Sequence, residues 1–152
     1  MGAVGPAAAL GDDPGVSVDR LTREHRSWLM SRIASKNTKP ELAVRSTLHR
    51  LGFRFRLHRR GLPGTPDLVL PRFRVVVFVH GCFWHGHYCK REKMPKTNRR
   101  FWGEKIEANR TRDLRNRRAL SRLGWRSLVV WECQAADPVR LALRLERFFA
   151  ER

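Results

Sequence analysis

The sequence predicts an α/β domain built around a mixed sheet. Two kinds of segment and their order predict it. Short apolar runs of strand length, Leu68-Val69-Leu70, Val75–Val79 and Ser127–Trp131, are bounded by turn-forming or charged residues. Between and around them, apolar residues recur at helical spacing, as in Val44, Leu48 and Leu51. The order is helix, helix, three strands, long helix, strand, helix, which is that of an α/β domain.

Each element has a local reason. Residues 1–17 are rich in Gly, Ala and Pro without periodicity and are expected to be a flexible tail, leaving residues 18–152 as one domain. A helix is expected from Val18 to about Ala34, broken by Ser35-Lys36-Asn37. Thr38-Lys39-Pro40-Glu41 is a helix start, with Thr38 as N-cap and Glu41 as the returning carboxylate, and Gly52 ends that helix. Phe53, Phe55 and Leu57 alternate with Arg54 and Arg56, as in a half-buried strand. Residues 61–66 form a turn-rich loop, 67–70 a short strand, 71–73 a tight link and 74–79 a buried strand. Residues 90–98 are a basic loop, and a charged helix runs from Arg99 to Leu123, ended by Gly124. After the strand Ser127–Trp131, Asp137-Pro138 opens a last helix with Leu141, Leu145, Phe148 and Phe149 as its apolar stripe.

The net charge is +18 over 152 residues, and residues 1–20 carry three Asp and one Arg, so residues 21–152 carry +20. Such a charge calls for a polyanionic partner, nucleic acid first. A packaging or ribosomal protein would share the charge, but rarely five Trp and a Cys/His cluster. Three cysteines argue against a disulfide framework. The early Ala7–Leu10 stretch lacks a basic flank, and no apolar run approaches the ~20 residues that cross a bilayer. An intracellular protein is expected.

The chemistry concentrates in residues 78–89, Phe-Val-His-Gly-Cys-Phe-Trp-His-Gly-His-Tyr-Cys. Cys82, His87 and Cys89, joined by Cys133 after the later strand, make a structural zinc set if the two strands are neighbours. The alternative is buried thiols and a surface histidine. His80 and His85 then remain as imidazoles able to move a proton near neutral pH, or as ordinary polar side chains. Asp67 heads a buried strand. If residues 71–73 are a hairpin link, Val79-His80 lies beside it, and a carboxylate with a backbone carbonyl is a common seat for Mg²⁺. The alternative is that Asp67 caps a turn after Pro66. Phe83 and Trp84 can project together from a metal-pinned loop, as wedges between base steps do. Trp102, Lys105 and Asn109 share a helix face that could stack on bases and hydrogen-bond to them, unless Trp102 is simply core.

Together these residues resemble the very-short-patch-repair DNA mismatch endonucleases, from about Met30 to Cys133. The resemblance rests on Met30-Ser31-Arg32-Ile33, Thr38–Glu41, Gly64-Thr65-Pro66-Asp67, Val79–Cys89, Phe101–Ile106, Gly124-Trp125 and Val130–Cys133. It implies a restriction-endonuclease-like fold, a structural zinc, and Mg²⁺-dependent nicking of double-stranded DNA beside the T of a T:G mismatch. Asp67 and the Val79 carbonyl would hold Mg²⁺. His80 and His85 would orient or activate water, assisted by Glu41. Cys82, His87, Cys89 and Cys133 would hold Zn²⁺. Phe83, Trp84 and Trp102 would enter the duplex from the major groove and Met30 from the minor groove, with Lys105 and Asn109 reading the mismatch. Where some members carry Thr, this chain has Val79, which a carbonyl ligand tolerates. A monomer in the cytoplasm, associated with the nucleoid, is the corresponding expectation. The alternatives are a zinc-stapled DNA-binding module without catalysis and a nuclease for single strands or RNA.

Overall fold

The computed structural model describes residues 22–31, 36–90 and 93–151, so the expected tail 1–17 lies outside the described residues. The chain divides into two compact units, Met1–Ile33 and Ala34–Arg152. In the first, helix α1 (Arg23–Ser31) begins where the Thr22 hydroxyl accepts the His25 N–H at 3.2 Å. Met30 lies on α1, and its side chain is outside the described residues.

The second unit holds α2 (Lys39–Arg50), β1 (Arg56–Leu57), β2 (Leu68–Leu70), a 3₁₀ turn (Pro71–Phe73), β3 (Val75–His80), α3 (Arg99–Arg122), β4 (Arg126–Trp131), a short α4 (Glu132–Ala135) and α5 (Pro138–Ala150). The sheet order is β1-β2-β3-β4. The first two pairings are antiparallel and the last is parallel, which makes the sheet mixed. Parallel neighbours need a crossover, and α3 supplies it.

Thr38 caps α2 as expected, accepting the Glu41 N–H at 3.4 Å. The return bond differs. Glu41 Oε2 accepts from the Asn37 N–H at 3.1 Å, one residue earlier than a capping box requires. The expected strand Phe53–Leu57 is only Arg56–Leu57. Its partner β2 is three residues long and is followed by Pro71, which has no N–H to donate, so Phe53 and Phe55 find no ladder. They pack on the core instead, with Phe53 stacked on Phe149 of α5 at 4.2 Å.

Two cores form, one on each sheet face. Val75, Val77, Leu68, Leu70, Leu128 and Val130 meet Val44 and Leu48 of α2 and Leu141 and Leu145 of α5. Val69, Val76 and Phe78 meet Leu120 of α3 and Trp125. Period-two alternation along β3 therefore feeds two cores, and that explains its nearly continuous apolar sequence. No helix among the described residues is long and apolar enough to cross a membrane.

Candidate active site

The site collects where the parallel strands β3 and β4 end. Their register places His80 opposite Trp131. Cys82 and Cys133 each follow two residues later, so parallel pairing sets them side by side across 51 positions of sequence. After β3 the chain coils tightly, with the His85 N–H reaching the Gly81 carbonyl at 3.3 Å and the His87 N–H reaching the Cys82 carbonyl at 2.9 Å. Cys82, His87, Cys89 and Cys133 then offer four ligand atoms all within 4.8 Å of one another. Cys133 Sγ lies 3.6 Å from His87 Nδ1, and no disulfide joins the three cysteines. Burial first, then hydrogen bonds with Cys89 and Cys133, push the Cys82 thiol up to about 12, against a backbone bond at Cys133 that lowers it. Three thiols and an imidazole packed this closely fit a soft, tetrahedral cation. The loop docks on α3 through Gly86, whose φ is +64°. A Cβ there would lie 2.8 Å from Ile106 Cγ2.

Two further clusters meet β3 at Val79 and His80. In the first, Asp67 Oδ2 accepts the Val79 N–H at 2.7 Å. The contact with Val79 is thus made through its N–H. Burial raises Asp67 to about 6, against the lowering effect of that hydrogen bond, and the nearby Glu41 charge raises it further. Glu41 is itself buried, and its Oε2 receives Arg45 Nη2 at 3.0 Å. Glu41, Asp67 and His58 bring one ligand atom each within 4.8 Å. A carboxylate that burial leaves eager for positive charge, next to a second carboxylate, fits a divalent cation.

In the second cluster, His80 and His85 stack face to face, with ring centroids 3.7 Å apart and planes 7° apart. His85 Nδ1 is 2.5 Å from Asp113 Oδ2 on α3. Burial, then the neighbouring His85, lowers His80 to about 4, so it is a neutral imidazole at physiological pH. Trp131 stands edge-on to His80 at 5.5 Å and stacks on His87 at 4.4 Å, which couples the histidine pair to the cysteine cluster. The pair opens on a groove of about 920 Å³ lined also by Arg110, Arg117 and Arg144, a cationic surface suited to phosphate.

Phe83, Trp84 and Trp102 form one aromatic group, with centroids 5.1 to 6.0 Å apart. Trp102 is only 9% exposed, so in the protein without DNA it is a core residue of that group. Lys105 Nζ lies 5.8 Å from the Trp84 ring. Asn109 Nδ2 donates to the Trp84 carbonyl at 2.9 Å, so this amide fixes the loop backbone.

Sequence reasoning missed Asp113, His58 and Arg45. Asp113 had a signal, because it falls four residues after Asn109 and continues the Trp102–Lys105–Asn109 face. Arg45 also had one, since it follows Glu41 by four residues on the same helix, whereas His58 had none, because only folding brings it to Glu41.

A family model described as "DNA mismatch endonuclease Vsr" matches residues 18–91. The "Type II nicking enzyme V.XorIIP" of Xanthomonas oryzae pv. oryzae is 57% identical over 127 residues, covering 84% of this chain and 93% of the relative. The "Type II nicking enzyme V.NmeAIP" of Neisseria meningitidis serogroup A is 44% identical over 133 residues, 88% and 95% respectively. The "DNA mismatch endonuclease Vsr" of Escherichia coli K12 is 47% identical over 108 residues, 71% and 69%. On these similarities the chain belongs to the DNA mismatch endonuclease Vsr family and is an endonuclease.

Proposed function

We propose that this endonuclease nicks one strand of duplex DNA beside the T of a T:G mismatch, in a Mg²⁺-dependent reaction that initiates very short patch repair. The observation that carries the reading is the convergence of two chemically distinct clusters on adjacent residues of β3. The Asp67 carboxylate, with Glu41 beside it, reaches Val79, and a histidine pair with its own carboxylate begins at His80. A binding module without catalysis has no use for a buried, destabilised Asp67. Mismatch and nicking also stand in the names of the relatives.

Asp67, with Glu41 nearby and the Val79 carbonyl as a further ligand, would hold the Mg²⁺. Bound there, the ion would supply positive charge to the scissile phosphate and its leaving oxygen. His85 is the general base for water. With Nδ1–H donated to Asp113, its Nε2 lone pair is left to accept the proton, and the carboxylate stabilises the imidazolium that results. His80, kept neutral by burial, contacts the phosphate or orients the water, and its stacked ring fixes the plane of His85. The restriction-endonuclease-like folds supply the architectural analogy, with histidine in place of the usual lysine.

Cys82, His87, Cys89 and Cys133 would hold a structural Zn²⁺ that pins the catalytic loop. Phe83, Trp84 and Trp102 would open the stack at the mismatch, where a weakly stacked step makes insertion less costly. Met30 would enter from the opposite groove, and Lys105 and Asn109 would read the mismatched bases. Residues 18–152 would act as a single catalytic domain in a monomer, in the cytoplasm and close to the nucleoid.

The test is an assay on end-labelled duplexes, one carrying a T:G mismatch and one fully paired, with and without Mg²⁺. A single nick beside the T, only in the mismatched duplex and only with Mg²⁺, is the expected result. Tight, salt-sensitive binding with no nick would favour the non-catalytic module. Cleavage of single strands or RNA instead would favour the third reading.

A further inference from the structure

Beside Asp67 sits a histidine that the resemblance leaves without a role. His58 follows β1, and its N–H donates to the Asp67 carbonyl at 3.1 Å, extending the β1–β2 pairing by one step. Its backbone is left-handed, with φ at +43°. Residues with a Cβ avoid that region unless their surroundings hold them there. In this conformation the ring reaches both carboxylates, and one ligand atom each of Glu41, His58 and Asp67 lies within 4.8 Å of the others. His58 Nε2 and Glu41 Oε2 are 3.6 Å apart. Adjacent ligands on an octahedral ion with bonds of ~2.1 Å lie about 3 Å apart, so the Glu41–His58 pair needs only a small closure.

A cationic group already occupies the place between them. Arg45 Nη2 is 3.0 Å from Glu41 Oε2 and 3.0 Å from His58 Nε2. A guanidinium can only donate, so Nε2 accepts, the ring proton is on Nδ1, and the Nε2 lone pair points at the Arg45 guanidinium, the position a cation would take. The seat serves Arg45 imperfectly, because its Nε is buried with no acceptor among the described residues.

We propose that His58 is a nitrogen ligand of the catalytic metal, beside Asp67 and Glu41, and that the Arg45 guanidinium holds this seat until the metal displaces it. The inference rests on the reading of Asp67 as the metal seat. A nitrogen donor among the oxygens tilts affinity from Mg²⁺ toward Mn²⁺ and Co²⁺, whereas an all-oxygen site would not.

The test uses the full chain with Mn²⁺ as a paramagnetic probe. Spin-echo modulation of bound Mn²⁺ should show a coupled ¹⁴N in the wild-type protein. His58→Gln should lose that coupling and bind Mn²⁺ at least tenfold more weakly, with its melting temperature unchanged. Arg45→Met should bind Mn²⁺ several-fold more tightly, since the competitor is gone, and weaker binding would overturn the place-holding role. Absence of nitrogen coupling in the wild-type protein overturns the ligand assignment whatever the variants do. So does a His58→Gln protein that keeps both coupling and affinity, for the nitrogen then comes from another histidine. Asp67→Asn separates the two levels. If it still binds Mn²⁺ as the wild type does, the metal seat itself is misplaced. If it loses binding while His58→Gln does not, only the role of His58 is wrong.

Discussion

His85 Nδ1 and Asp113 Oδ2 lie 2.5 Å apart, bridging the loop after β3 to the middle of α3. The bond selects the imidazole tautomer whose Nε2 can accept a proton, and stacking on His80 leaves the ring little freedom to turn. Asp113 is largely covered, with its side chain 19% exposed, so solvent screens this pair only in part.

Asp113→Asn should therefore lower the nicking rate by about 100-fold, since general-base catalysis contributes on that order. Asn can still accept from Nδ1–H, so geometry survives while the charge that stabilises the imidazolium is lost. DNA affinity should stay within about twofold of wild type if Asp113 acts only through His85. A variant with normal rates and weakened DNA binding would move Asp113 from the base to the interface.

Asp67→Asn should abolish nicking and, in metal-free protein at pH 7, raise stability. The sign follows from the shift. Asp67 is raised from 3.8 to about 6 by burial, so the folded protein holds its proton more tightly than the unfolded chain does. Folding is penalised above pH 6, by on the order of 2–3 kcal/mol. The penalty fades as pH falls from about 6 to 3.8. His80 has the opposite slope, losing stability as pH falls from 6.5 to about 4, but it is common to both proteins. The gain in melting temperature of Asp67→Asn over wild type should be clear at pH 7 and gone by pH 4. A gain that does not vary with pH would have a cause other than the carboxylate.

How much of this was legible in the sequence depends on the range of each contact. The α2 cap, the boundaries of β3 and α5 and the apolar stripe of α5 follow from neighbours within four residues, and they stand close to where the sequence puts them. The proximity of Cys133 to Cys82 needed one further inference, that the two buried strands pair. Strand β1 was read too long because alternation signals a half-buried surface, while ladder length depends on a partner that Pro71 cuts short. Asp113 was legible in principle, by continuing a helix face already noted. The grouping of Arg45, Glu41 and His58 was not, since it depends on the left-handed turn at His58, which no local residue pattern announces.

Cys133→Ser should lower bound zinc from about one per chain to a small fraction and cost several kcal/mol of stability, because zinc binding of this kind is part of the folding free energy. The loss should reach the histidine pair as well, since Trp131 stacks on His87 and meets His80 edge-on. Metal analysis and thermal melts check both parts. Folded, active protein with no zinc would refute the four-ligand site.

Trp84→Ala tests recognition at the mismatch, and the structure makes it a clean change. Asn109 holds the Trp84 backbone carbonyl at 2.9 Å, so the loop keeps its anchor when the indole is removed. What disappears is the ring packed between Phe83 and Trp102 under Lys105. Phosphate contacts from the many Arg and Lys side chains give affinity that is blind to sequence, and this substitution leaves them intact. An inserted ring acts only where the base stack can be opened. Its loss should remove on the order of 1–3 kcal/mol from binding to T:G duplex, roughly a fivefold to 150-fold loss of affinity, and little from binding to paired duplex. Asn109→Ala should free the loop, slowing nicking while the ring remains, and should also weaken binding to T:G duplex through loss of the amide that reads the mismatch. If Trp84→Ala weakens both duplexes equally, the ring is a general contact, and discrimination must come from Lys105 and Asn109.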